Sequence, residues 1–134
     1  MFSNSAKYAI RTILYIAGFP SSHRCTVREI SEALNIPKPY LSKILQQLSK
    51  NDIITSTKGR GGGFCLTKEN LKKSLNDIIL CIDGKNMFSS CLLGLHECSD
   101  KNPCRFHEDF KLFKTNLEQK IIKEKIRDLI KDIH

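Results

Sequence analysis

Residues 26–67 constrain this chain most tightly. Thr26-Val27-Arg28-Glu29 reads as a capping box: a hydroxyl for an orphan helix N–H, and a glutamate three residues on that can reach back. It opens a short helix carrying Val27, Ile30, Ala33 and Leu34. Asn35-Ile36 makes a tight turn, and Pro37 and Pro39 suit the first turn of a new helix, where no intrahelical N–H is lost. That helix carries Leu41, Ile44, Leu45 and Leu48 on one face and stops around Lys50-Asn51-Asp52. A β-branched run, Ile53 to Thr57, leads into Lys58-Gly59-Arg60-Gly61-Gly62-Gly63 and then Phe64-Cys65-Leu66-Thr67, the pattern of a hairpin around a glycine-rich turn. Short helix, turn, longer helix is the helix-turn-helix layout, and a hairpin directly after it is a wing. The expected fold class is therefore mainly α with a small β-hairpin wing.

The flanking segments complete that plan. A first helix is expected from Asn4 to Ala17, with Ile10, Ile13, Leu14 and Ala17 on one face, broken by Phe19-Pro20-Ser21-Ser22. Lys7 and Arg11 interrupt its apolar stretch, which argues against a signal peptide. No apolar run approaches the length of a membrane span, so a cytoplasmic protein without a membrane partner is expected. A further helix begins at Ser74, carries Leu75, Ile78, Ile79 and Ile82, and ends at Gly84. From Phe106 onward the chain reads as charged helix, with one stripe of Phe110, Phe113, Leu117 and Ile121 and a second of Ile126, Leu129, Ile130 and Ile133. The organisation is a winged helix-turn-helix unit at 1–84, a cysteine-rich loop at 85–105 and a C-terminal helical region at 106–134.

Charge separates the two halves. Residues 1–68 hold ten Lys/Arg against three acids, whereas 69–134 hold twelve against eleven. The excess lies on the helix-turn-helix half, where a polyanion is attracted, although a basic surface is also simply soluble. In such a unit the second helix enters the major groove N-terminus first. That selects Lys38, Pro39, Tyr40, Ser42, Lys43, Gln46 and Gln47, with Arg28 on the preceding helix. Lys58, Gly59, Arg60 and Gly61 of the wing join them, because glycine lets the backbone approach a phosphate and arginine reads a narrow minor groove. Double-stranded DNA is the expected partner.

Six cysteines demand a reason in a chain expected to work in a reducing compartment. Three of them, Cys91, Cys98 and Cys104, cluster with His107 in a soft-donor segment. Cys104 and His107 stand at i and i+3, so a helix start can present both together. Six and five residues separate the cysteines, wider than the usual paired zinc spacing. Spacing alone leaves zinc and an iron–sulfur cluster equally open. Cys25, Cys65 and Cys81 are expected to be structural. Cys81 sits in an apolar run, Cys65 in the wing strand, and Cys25 beside the second helix, a position open to solvent.

The segments AKYAIRTILYIA, VREISEALNIPKPYLSKILQQLSKNDII and TKGRGGGFCLTK resemble the family of iron–sulfur cluster regulators and nitric-oxide-sensing repressors (IscR/NsrR type, the Rrf-two family). The matching positions are Tyr8-Ala9, Tyr40-Leu41 and Gly59…Gly62-Gly63-Phe64, and the resemblance covers nearly the whole chain. It implies a dimeric winged helix-turn-helix transcription factor with a long C-terminal dimerisation helix, reading a near-palindromic operator. It also implies that Cys91, Cys98, Cys104 and His107 hold a cluster, [2Fe–2S] in the first place, with zinc or an empty site in purified protein as alternatives. His96 is a second imidazole in the same loop. Lys7 stands where the nitric-oxide branch takes a carboxylate ligand, which disfavours that branch's [4Fe–4S] mode, and Ser42 occupies the recognition-helix position where a polar or acidic residue is common, so operator preference does not carry over.

Three functions follow. The first is a regulator, expected to act as a repressor, whose DNA binding is modulated by a cluster sensing redox state, nitric oxide or iron–sulfur status. The second is a regulator of the same fold without a cluster, sensing cysteine supply or oxidant through thiols or a partner protein. The third is a zinc-bearing interaction adaptor. No Ser-His-Asp, His-Glu-x-x-His or phosphate-loop pattern is present, so an enzyme is not expected.

Overall fold

The computed structural model describes residues 2–84, 93 and 100–131. Its order is α1 (Asn4–Ala17), α2 (Val27–Leu34), α3 (Lys38–Lys50), β1 (Thr55–Thr57), β2 (Gly63–Cys65), α4 (Lys68–Leu71), α5 (Leu75–Asp83), α6 (His107–Lys123) and α7 (Ile126–Lys131). The expected fold class, a helical domain with a small wing, is the observed one.

α1 starts at Ser3, whose hydroxyl accepts the Ala6 N–H at 3.0 Å. Its inward line is Ala6, Ala9, Ile13 and Ile16, with Thr12 also buried. The expected line of Ile10, Ile13, Leu14 and Ala17 is thus turned: only Ile13 of the four is fully buried. Ala6 and Ala9 lie fully buried on the inward line, and α1 packs on α5. Thr12 satisfies its buried hydroxyl by donating to the Tyr8 carbonyl at 2.7 Å. Asp83, at the far end of α5, accepts both the backbone N–H and the hydroxyl of Ser3.

The α2–α3 turn closes on one serine. Asn35 adopts the left-handed conformation (φ 56°, ψ 47°), and its N–H donates to the Ser31 carbonyl. Ile36 N–H donates to the same carbonyl at 3.2 Å, while the Ser31 hydroxyl donates to the Ile36 carbonyl at 2.6 Å. This local knot fixes the entry to α3, whose Leu41, Ile44, Leu45 and Leu48 are buried.

The wing is antiparallel, with Thr55 opposite Cys65 and Thr57 opposite Gly63. Cys25 forms an isolated antiparallel bridge with Phe64: Cys25 N–H donates to Phe64 O at 2.9 Å, and Phe64 N–H donates back to Cys25 O at 2.8 Å. Glycine is required at Gly63, where φ is 149° and a Cβ would lie 2.6 Å from the Cys25 carbonyl oxygen. Cys25 is accordingly fully buried, which corrects its expected position near solvent.

Two features were not expected from the sequence. α4 is capped by a reciprocal Thr67–Asn70 box. Asn70 is itself buried; it donates to the Asp52 carbonyl at 2.9 Å and accepts from the Thr55 hydroxyl at 2.8 Å, clamping the wing to the end of α3. The second is a break at Glu124-Lys125, which turns the C-terminal helical region into two helices. Leu75 N–H donates to Glu124 O and Ile126 N–H to Lys73 O, both at 2.8 Å. Ile126 then enters the core that holds Ile13, Ile30, Leu45 and Ile78, and Ile130 packs against it.

Candidate nucleic-acid interface and metal centre

The N-terminus of α3 is presented to solvent. Lys38, Pro39, Tyr40 and Lys43 are exposed, Ser42 is half-buried, and Gln46 and Gln47 are exposed a turn further on. Lys43, Gln46, Gln47 and Lys50 line an open hollow of about 300 Å³. The apolar stripe sets this arrangement: with residues 41, 44, 45 and 48 facing inward, the polar residues between them must face outward.

Tyr40 is less free than its neighbours. Its hydroxyl pairs with the Ser5 hydroxyl, and its ring stands edge-on to Tyr8 at 5.6 Å. The N-terminal ends of α1 and α3 are therefore joined at the edge of this surface. Arg28 lies on exposed α2 and is engaged by Glu32 at 3.1 Å. Lys58, Gly59, Arg60 and Gly61 form the exposed wing tip, closed by a Gly62 N–H to Gly59 O bond of 3.0 Å.

Of the expected metal donors, Cys104 and His107 are among the described residues; Cys91, Cys98 and His96 lie outside them. Cys104 is half-buried, and its carbonyl accepts the His107 N–H at 3.0 Å, so the two are one turn apart at the start of α6. The His107 side chain is buried (4% exposed), with Nε2 at 2.8 Å from Asp100 Oδ1. Lys111 Nζ grips both oxygens of Asp100 at 3.0 and 3.1 Å. The His107 contact, and then Lys111, holds the Asp100 carboxyl below its ordinary range. Sequence reasoning missed Asp100. Its only signal is an acid in the cysteine segment, too common a feature to single out.

A second polar cluster was also missed. The Thr26 hydroxyl caps α2 by accepting the Glu29 N–H at 3.1 Å, as a capping box requires. The Glu29 carboxylate does not return the bond. It accepts from the Tyr15 hydroxyl at 3.1 Å and meets His23 Nε2 at 3.2 Å. Burial raises the Glu29 carboxyl, but the His23 and Tyr15 hydrogen bonds outweigh it and leave it below its ordinary value. Burial, followed by the nearby Glu29 charge, pushes the Cys25 thiol up to about 12. Cys81 is more than an apolar filler: its thiol donates to the Gln47 carbonyl and meets Asn51 Nδ2, each at 3.3 Å, and burial raises it.

This geometry has counterparts. The chain matches the Rrf2 family, described as an iron-dependent transcriptional regulator, over residues 2–132. It belongs to that family. A candidate HTH-type transcriptional regulator of Aquifex aeolicus (strain VF5) is 34% identical over 132 residues, spanning 97% of this chain and 91% of the relative. A candidate rrf2-like regulator of Rhodobacter capsulatus is 30% identical over 118 residues, 82% of this chain and 79% of the relative. Among solved structures, CymR (YrzC), the global cysteine regulator of B. subtilis, superposes with a TM-score of 0.80 at 17% identity, covering 100% of this chain and 98% of its own. T. potens IscR superposes at 0.72 and 19% identity, covering 100% and 88%. The chain is thus an HTH-type, DNA-binding transcriptional regulator of the Rrf2 family. Among the described residues, no helix is long and apolar enough to cross a membrane.

Proposed function

We propose that this regulator works in the cytoplasm as a homodimer on a near-palindromic duplex operator, and that its DNA binding responds to an iron–sulfur cluster, [2Fe–2S] in the first place. Cys91, Cys98, Cys104 and His107 would hold the cluster. The observation that carries this reading is the buried His107 imidazole, one turn from Cys104 and held on the Asp100 carboxylate. Metal-ligating histidines are commonly oriented by such a carboxylate on one ring nitrogen. Ligation through Nδ1 keeps Asp100 in that role, whereas ligation through Nε2 requires Asp100 to yield. Thiolates with an imidazole are soft and borderline donors suited to an iron–sulfur centre. Such a centre, when bound, supplies sensitivity to oxidants and nitric oxide.

The protein's own part is geometric. Lys38, Tyr40, Ser42, Lys43 and Gln47 reach base edges and phosphates from α3, and Lys58 and Arg60 approach the flanking minor groove from the wing. In a dimer the separation of two α3 helices must match the half-site spacing, so small shifts at the base of α6 alter affinity strongly. Leu112, Phe113 and Ile122 on α6 are large exposed apolar side chains suited to the partner's α6.

A cluster-free regulator that senses cysteine supply or oxidant is the second reading. The likeness in fold to CymR (YrzC), the global cysteine regulator of B. subtilis, supports it. Iron, sulfide and zinc analysis of anaerobically purified protein, with its absorption spectrum, decides between the two. Two irons and two sulfides per chain with a visible charge-transfer spectrum is the expected result. Colourless, iron-free protein after anaerobic reconstitution would select the second reading.

A further inference from the structure

The diverted Glu29 carboxylate marks a place where unlike donors converge. His23 Nε2, the Cys25 thiol and a Glu29 oxygen all lie within 4.8 Å of one another. They come from the α1–α2 loop and the first turn of α2, far in sequence from the 91–107 segment. We propose that His23, Cys25 and Glu29 form a second metal site, suited to zinc, with water as the fourth ligand.

Three observations support it. The first is donor chemistry: one nitrogen, one sulfur and one carboxylate oxygen suit zinc, whereas calcium and magnesium demand oxygen donors throughout. The second is spacing. Tetrahedral zinc with bonds of about 2.0–2.3 Å places its ligand atoms roughly 3.3–3.8 Å apart. His23 and Glu29 already stand at 3.2 Å, and the whole trio needs only a contraction within its 4.8 Å limit. The third is access and support. The His23 and Glu29 side chains are 41% and 29% exposed, so an ion can enter from solvent, while Cys25 forms the floor. The Tyr15 hydroxyl donates to Glu29 Oε2, the same oxygen that His23 meets, and so fixes the carboxylate beside the imidazole, while Phe19 stacks on the His23 ring at 4.5 Å.

The charges also balance. Zinc binding displaces the thiol proton to solvent, and a thiolate plus a carboxylate neutralise the divalent ion. The site would tie together three parts of the DNA-reading unit: Tyr15 of α1, the start of α2, and the wing root through the Cys25–Phe64 pair. Zinc therefore raises the thermal stability of that unit by mass action.

The test uses the full chain carrying Cys91→Ser, Cys98→Ser and Cys104→Ser, so that no loop thiol contributes. Anaerobic titration with cobalt(II), the spectroscopic stand-in for zinc, is expected to give one ion per chain with a thiolate-to-cobalt band and tetrahedral visible bands. Stoichiometric zinc should remove them. Cys25→Ser is expected to abolish the thiolate band. His23→Gln and Glu29→Gln, at half-exposed positions that spare the fold, should each weaken binding by about tenfold or more, and Tyr15→Phe by about tenfold. No thiolate band, or a band that survives both His23→Gln and Glu29→Gln, overturns the proposal.

Discussion

The wing-bearing unit and α6 differ in how completely each satisfies itself. In the unit formed by α2, α3 and the wing, the helix-turn-helix turn closes on Ser31, the wing root on Cys25, and the α3–wing junction on Asn70. Ile30, Ile36, Leu41, Ile44, Leu45, Leu48, Ile53 and Ile54 are buried in one core. α6 buries His107, Phe110 and Ile121 but leaves Leu112, Phe113 and Ile122 at 66, 50 and 54% exposure. The first region is complete as a single chain; the second carries the apolar surface expected of a helix that meets a partner.

Mutations sharpen that contrast. Leu45→Ala, deep in the sealed core, is expected to cost about 2–5 kcal/mol in denaturant unfolding. A cost near zero would mean that the reading unit is loosely packed. Next in size is Asn70→Ala, which orphans the Asp52 carbonyl and the Thr55 hydroxyl; about 1–3 kcal/mol should be lost, with faster hydrogen exchange in the wing. The pair Leu112→Ser and Phe113→Ser should leave the unfolding of a monomer within about 0.5 kcal/mol of the parent, since both side chains are already exposed. The same pair should raise the dimer dissociation constant by about tenfold or more in sedimentation equilibrium. Unchanged association would break the comparison, because the exposed α6 face would then have no partner role. The smallest effect belongs to Arg60→Ala: weaker binding, most on duplexes with a narrow flanking minor groove, with the slope of log affinity against log salt reduced by about one.

Legibility followed the same division. The limits of α1, the Thr26 and Ser74 caps, the Asn35 turn and the Gly84 stop were all readable, because each depends on residues within a few positions of itself. The register of α1 was not, since which face turns inward is decided by packing against elements distant in sequence, α5 among them. The return of Ile126 to the core was hidden for the same reason: it rests on pairing with Lys73 and Leu75, some fifty residues earlier. At the sites, the exposed face of α3 followed from its apolar stripe, but Tyr40's hold on Ser5 did not. Glu29 is the instructive failure. A local rule assigns its carboxylate to Thr26, and Tyr15 and His23 outbid it.

In the proposed mechanism, the state of the cysteine–histidine site governs DNA affinity. It is tested most directly by titrating one in-vitro-selected duplex with anaerobically reconstituted protein and with Cys104→Ser protein at equal salt. A difference of about tenfold or more in dissociation constant, about 1.4 kcal/mol, is predicted, with both proteins dimeric. Identical affinities for a fully reconstituted dimer and the Cys104→Ser dimer would contradict it.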